Sequence, residues 1–226
     1  RMSIQAILSQ LDHFSSLPSP VRDALAAVAY PVHYEPGSII YLEGDTPRHV
    51  YILEKGWVKA CKMTREGREQ GLMFMRPVEL FGDVAVFNGS AYPATTTALE
   101  AVDAWAIPAE RYLDCVKAHP DLGLVVIRKM SARILYYIGL VEDLALKSVE
   151  ARLASTLLQH AQLVNDQFEI PRRDWTTYDE IALRLGTVRD VLSRAMKTLE
   201  GEGYLRVEKQ RIVILDPIGL TERAKR

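Results

Sequence analysis

Residues 176–204 read Thr176-Thr177-Tyr178-Asp179-Glu180-Ile181-Ala182-Leu183-Arg184-Leu185-Gly186-Thr187-Val188-Arg189-Asp190-Val191-Leu192-Ser193-Arg194-Ala195-Met196-Lys197-Thr198-Leu199-Glu200-Gly201-Glu202-Gly203-Tyr204, two amphipathic patterns joined at a glycine. Thr177 followed by Glu180 forms a capping box that starts a helix. Ile181, Ala182 and Leu185 supply its inward face, and Gly186 suits the left-handed conformation that stops it. A second helix is expected at once, with Thr187 as N-cap and Asp190 three residues on. Val188, Val191, Leu192, Ala195 and Leu199 gather on one side at about 100° per residue. Arg189, Asp190, Ser193, Arg194 and Lys197 fall on the other side, and the unit reads as a helix-turn-helix.

The polar side has the chemistry of a DNA reader. A major groove admits one helix, the arginine fork matches the two acceptors on guanine, and a carboxylate accepts from the cytosine amino group. Arg189, Asp190 and Arg194 supply those groups, whereas Ser193 and Lys197 suit phosphate or secondary base contacts that orient without specifying sequence. Past Gly203, the runs Tyr204–Glu208 and Arg211–Leu215 flank Lys209-Gln210 and read as a hairpin. It is either the wing of a winged helix-turn-helix, with Lys209 and Arg211 near the DNA backbone, or a pair of edge strands guarded by charges. The residues expected at DNA are therefore Thr177, Thr187, Arg189, Asp190, Ser193, Arg194, Lys197, Lys209 and Arg211. A solvated helix face, with Asp190 only a capping acid, is the competing reading.

Upstream, the chain changes character. From Val32 to about Pro108, Pro36-Gly37, Gly44-Asp45, Gly56, Gly67, Gly82 and Gly89 punctuate short apolar runs, the pattern of an antiparallel barrel or double-sheet roll. Thr64-Arg65-Glu66-Gly67 reads as a hairpin tip. Asp121–Leu146 reads as one helix roughly 38 Å long. Along it Ile127, Ile134 and Val141 recur every seven residues, with Met130, Tyr137 and Leu144 three further on, which gives an a/d seam. Ser131, Ile138 and Ala145 widen the stripe so that it can serve both the roll and a partner helix. A dimer through this seam would set two recognition helices about one DNA turn, ~34 Å, apart, as a palindromic operator requires. The expected organisation is α+β: a sensor roll with N-terminal helices over 1–116, a dimerisation helix over 117–146 and a DNA-binding domain over 147–226.

Bulk properties narrow the class. The 226 residues are 48% hydrophobic with net charge -1, enough for two cores and too neutral for an indiscriminate nucleic-acid binder. Residues 147–226 hold 14 Lys and Arg against 12 Asp and Glu, so affinity must rest on placed contacts and on dimerisation. Cys61 and Cys115 are too few for a disulfide framework and lack metal-cluster spacing. With no leader pattern and no apolar run long enough to span a bilayer, a reducing cytoplasm is expected.

Roll, long helix and winged helix-turn-helix, in that order, resemble the cyclic-AMP receptor protein/FNR superfamily of bacterial transcription regulators. The likeness is anchored by Pro36-Gly37, Glu43-Gly44-Asp45, Gly56-Trp57-Val58, Leu80-Phe81-Gly82-Asp83 and Thr187-Val188-Arg189-Asp190-Val191-Leu192-Ser193-Arg194. It implies base contacts from Arg189, Asp190, Ser193 and Arg194, with Asp190 shorter than the usual glutamate, and RNA polymerase as a further partner. It also implies an effector pocket built from Gly82, Asp83, Val84, Ala85, Tyr92, Pro93, Ala94 and Thr95, with Tyr137 from the long helix. In the cyclic-AMP branch an Arg-Ser pair ends that cassette and holds the phosphate. Here Tyr92-Pro93 stands in its place, and Tyr137-Ile138 replaces the polar pair that reads adenine. Losing the guanidinium removes the charge-assisted contact, so the expected effector is something other than cyclic AMP, or none.

The alternatives are distinct. A cyclic-nucleotide-responsive regulator would bind cyclic AMP or cyclic GMP despite these changes, and such a module could instead act on a protein partner. The cysteine group of the iron-sulfur branch is missing. A haem-based gas sensor would need an axial ligand from His13, His33, His49, His119 or His160, which show no pairing motif. A metal-dependent enzyme on the roll would need histidines and a carboxylate converging from neighbouring strands, a set the strand-like runs lack.

Overall fold

The computed structural model describes residues 2–12, 14–63, 69–173 and 176–225. The chain divides into two compact units, residues 1–135 and 136–226, with the division inside the long helix. His13 and the expected hairpin tip 64–67 lie outside the described residues.

In the first unit, α1 (Ile4–Leu8) and α2 (Ser19–Ala26) precede eight strands: β1 (Tyr30–Tyr34), β2 (Ile39–Tyr41), β3 (His49–Lys55), β4 (Val58–Met63), β5 (Glu69–Met75), β6 (Glu79–Phe81), β7 (Thr95–Ala98) and β8 (Val102–Pro108). They form two antiparallel four-stranded sheets, ordered β1-β8-β3-β6 and β2-β7-β4-β5. This is the expected double-sheet roll. Glycine enforces one of its tight approaches: a Cβ on Gly56, at φ +88°, would meet the Ala101 carbonyl and Val102, so no larger residue fits there.

Alternation along β3 and β8 sends residues to opposite sides of their sheet. Tyr51, Leu53, Ala104 and Ala106 face a core shared with Val58, Met75 and Phe81. Val50, Ile52 and Ile107 face a second core with Ile7, Leu8, Phe14, Leu25, Tyr112, Leu122, Val125 and Val126. Two helices absent from the sequence reading complete this unit, α3 (Asp83–Asn88) and α4 (Ala109–Ala118). Next comes α5 (Pro120–Leu146), the long helix, one residue longer at its start than expected.

The second unit adds α6 (Val149–His160), β9 (Gln162–Val164), β10 (Gln167–Pro171), α7 (Tyr178–Arg184), α8 (Arg189–Gly201), β11 (Leu205–Val207), β12 (Arg211–Ile214) and α9 (Pro217–Arg223). The strands pair in the order β11-β12-β10-β9. The expected hairpin β11–β12 is present, but β12 is paired on both sides, so the two-edge-strand alternative fails for it. The hairpin β9–β10 was missed. Its Asn165 and Asp166 both take positive φ, 49° and 59°, as a two-residue type I′ turn requires.

The core of this unit joins Leu153, Ala154 and Leu157 of α6 to Ile181 and Ala182 of α7, Leu192, Ala195, Met196 and Leu199 of α8, and Leu205, Ile212 and Ile214 of the sheet.

Candidate functional site

The helix-turn-helix is assembled by backbone chemistry. Thr177 caps α7, its hydroxyl oxygen accepting from the Glu180 amide at 3.3 Å, while Asp179 and Glu180 place negative charge in the first turn where the helix dipole favours it. Gly186, at φ +62°, ends the helix. Its amide donates to Leu183 O at 3.2 Å and the Thr187 amide to Ala182 O at 2.9 Å, the paired bonds of a Schellman motif.

That motif corrects one expectation. Thr187 is spent closing α7, so α8 begins one residue later with Val188 as its N-cap, extended and without a side-chain cap bond. Val188 is consequently 64% exposed rather than part of the inward face, and Met196, which the pattern did not single out, is buried there instead. The outward face is as expected: Arg189, Asp190, Arg194 and Lys197 are exposed and Ser193 half-buried, opposite Leu192, Ala195 and Leu199. Arg189 donates through its NH1 to Asp179 Oδ2 at 3.2 Å.

The wing residues behave differently from each other. Lys209 is exposed in the turn between β11 and β12. Arg211 is held by Glu169 at 2.6 Å and by Glu208 at 2.8 Å, two carboxylates that offset the charge a phosphate would meet. Between α6 and α7, Arg184 is mostly buried and contacts His160 Nε2 at 3.0 Å, while the Nδ1 of that ring reaches Thr156 O at 2.8 Å. Burial lowers the Arg184 guanidinium from its ordinary value.

The seam of α5 is uncovered in the single chain: Ile127, Ile134, Val141 and Leu144 are exposed, and Met130 and Tyr137 are partly covered. Ile138 is exposed as well, so the stripe is as wide as the pattern implied. At its end, a Cβ on Gly186 would stand 3.0 Å from Leu144 Cδ2.

In the roll, several of the residues named for an effector are committed to other side chains and backbone groups of the unit. Gly82, at φ +82°, leads into α3, and a Cβ there would meet His49 O at 3.2 Å. Asp83 has no solvent exposure, and its Oδ2 accepts from Lys129 Nζ at 2.7 Å, with Arg133 NH1 at 3.9 Å from Oδ1. Lys129 also donates to Leu80 O at 2.8 Å. Burial outweighs the attraction of Asp83 and brings the Lys129 ammonium down to about 8.

Tyr92 is buried, stacks on Tyr41 with centroids 3.8 Å apart, and donates its hydroxyl to His49 O at 2.8 Å. Tyr51 and Phe81 continue the stack at 5.1 Å. Desolvation pushes Tyr41 up to about 12 and Tyr92 above its ordinary range, so both stay neutral phenols at physiological pH. Of the remaining candidates, Val84 and Pro93 are exposed, Ala85 and Ala94 are core residues, and Thr95 Oγ1 accepts from the Glu43 amide at 3.1 Å. A cleft of about 180 Å³ opens beside Lys129 and Arg133, walled by Leu11, Phe14, Glu79 and Leu80.

Sequence reading missed Lys129 and Arg133. Their i,i+4 spacing on a largely apolar helix was the available signal, since two cations that share a face call for an acid. The histidines are dispersed: His33 contacts Asp103 at 2.9 Å and His49 contacts the Tyr30 hydroxyl at 2.7 Å.

Two family models match this chain in order, the cyclic nucleotide-binding domain over residues 31–119 and the Crp-like helix-turn-helix domain over residues 151–223. The chain is 26% identical over 221 residues to a CRP-like cAMP-activated global transcriptional regulator of Mycobacterium tuberculosis, covering 97% of this chain and 99% of the relative. It is 28% identical over 199 residues to the global nitrogen regulator of Synechococcus elongatus, covering 84% of this chain and 87% of the relative. Its fold matches that of FixK2 from Bradyrhizobium japonicum with a TM-score of 0.75 at 19% identity, over 86% of this chain and 96% of the other. No helix among the described residues is long and apolar enough to cross a membrane. Matches to the cyclic nucleotide-binding domain family and then to the Crp-like helix-turn-helix family, together with a relative aligned over 97% of the chain, place this protein in the CRP/FNR superfamily of DNA-binding transcription regulators.

Proposed function

We propose that this regulator works in the cytoplasm as a homodimer that reads a palindromic operator, and that its roll answers to a signal other than cyclic AMP or has become independent of one. The observation that carries the DNA reading is the split of α8 into a buried face at Leu192, Ala195, Met196 and Leu199 and an exposed polar face at Arg189, Asp190, Arg194 and Lys197. Arg189 and Arg194 serve guanines and Asp190 a cytosine amino group. Ser193, Lys197, Lys209, Thr187 in the turn and the helix N-terminus at Thr177 serve the backbone. Dimerisation through Ile127, Met130, Ile134, Tyr137, Val141 and Leu144 is supported by the uncovered stripe of α5. RNA polymerase is the further partner in this reading.

The departure from cyclic AMP is supported by two commitments. Asp83 already has a cation against it, and the phenol of Tyr92 stands at the sequence position of the phosphate-binding arginine and is packed on Tyr41. A cyclic phosphate entering here would have to break the stack and would meet no guanidinium from that position. The Mycobacterium tuberculosis relative is named as cAMP-activated, which makes the cyclic-nucleotide alternative worth a direct assay.

A duplex selected from a randomised pool by the native chain should be an inverted repeat. Arg194→Ala should abolish binding to it while sedimentation still reports a dimer. Calorimetry of the native chain with cyclic AMP and cyclic GMP should show no heat of binding. Selection of a duplex without symmetry, retention by Arg194→Ala, or micromolar nucleotide binding would each overturn the corresponding part.

A further inference from the structure

The exposed polar face of α8 does not stand alone, because its first arginine is gripped by the preceding helix. Asp179, in the first turn of α7, accepts from Arg189 NH1 at 3.2 Å, and both side chains remain open to solvent. Asp179 is ten residues before Arg189 and is brought to it by the Schellman turn at Gly186. We propose that Asp179 is a positioning residue for sequence reading, a carboxylate that aims the Arg189 guanidinium at one base and so sharpens specificity at that base.

Guanidinium has five N–H donors in a planar fork, and the contact with Asp179 uses one of them. The remaining donors are enough for the two acceptors of a guanine edge. An arginine on a free four-bond stem would sample phosphates on either side, whereas one fixed at a donor has fewer ways to bind and loses less freedom on docking. As a surface ion pair in water the contact adds little to folding. Its effect lies in direction, and it carries an opposing cost: a carboxylate held beside α8 is repelled by the phosphates that flank the groove. Asp179 therefore lowers binding to duplexes of every sequence while it raises the preference for one base. No residue that merely stabilises the fold has that pair of effects.

This inference rests on the reading of Arg189 as a base-contacting residue. The test uses the full chain and the duplex it selects from a randomised pool, with every single-base substitution, measured by fluorescence anisotropy at several salt concentrations. Arg189→Ala should lower discrimination at one base pair per half-site by about 5- to 100-fold. Asp179→Asn should lower discrimination at that same base pair, by about 3- to 10-fold, and tighten binding to unrelated duplex by a few-fold. In an Arg189→Ala background, Asp179→Asn should have no further effect on discrimination.

If Arg189→Ala relaxes that base pair but Asp179→Asn leaves it unchanged, or weakens all duplexes alike, the positioning role is refuted and the base-reading role of Arg189 survives. If Arg189→Ala changes discrimination nowhere, both fall.

Discussion

Replacing Lys129 by Met deprives the fully buried Asp83 of its nearest cation. Met keeps most of the stem volume, so the loss is the ammonium that donates to Asp83 at 2.7 Å and to Leu80 O at 2.8 Å. Asp83 has no exposure to water, and its remaining cation, Arg133, is 3.9 Å away. Breaking one side of a buried pair typically costs about 3–5 kcal/mol, because a charge is left without compensation. Arg133 can move toward the vacated oxygen, which sets the expectation near the lower end, about 3 kcal/mol.

With a urea slope of about 2 kcal/mol/M, the midpoint of the first unit should fall by about 1.5 M. Fluorescence of Trp57 and Trp105 in a Trp175→Phe background reports that unit alone. Adding Asp83→Asn to Lys129→Met should recover the loss to within about 1 kcal/mol, since the orphaned carboxylate is then neutral. A cost below about 1 kcal/mol for Lys129→Met, or strict additivity of the two substitutions, would refute the reasoning.

The same lysine sets a pH dependence. Its folded value of about 8 lies below the ordinary 10.5, so between these values the unfolded chain binds more protons and stability rises with pH. The difference in unfolding free energy between the native chain and Lys129→Met should therefore widen from about pH 8 to about pH 10.5; a flat or narrowing difference counts against the buried ammonium. Gly186→Ala should destabilise the second unit by about 1–2 kcal/mol, because alanine resists φ +62°, and thermal melts followed by hydrogen exchange in α7 should show a fall of several degrees. An unchanged melting temperature would mean that the turn relaxes without strain.

What the sequence disclosed was local. Thr177, Gly186, Gly203 and the 3.6-residue period of α8 state their roles within a few positions, and the helix-turn-helix and hairpin follow from them. The one-residue error at Thr187 arose because two local rules compete for it: threonine is a good N-cap, but its amide is also what completes the Schellman turn. The hairpin at Asn165-Asp166 has a local signal as well, since a two-residue Asn-Asp link between short strand-like runs is a turn signal.

The interior of the roll was not legible. Asp83 and Lys129 are 46 residues apart and meet only where α5 packs on the roll, and Tyr41 and Tyr92, 51 apart, meet beside the pairing of β2 with β7. A motif comparison marks Gly82-Asp83 as a pocket wall. The tertiary structure turns that acid toward an internal cation.

The central claim is that two copies of α8 enter a major groove one helical turn apart. Hydroxyl-radical footprinting of the native chain on its selected duplex tests it most directly. Two symmetric protected patches with centres about 34 Å apart, both lost in Arg194→Ala, are predicted. A single patch, or protection that survives Arg194→Ala, would contradict the account.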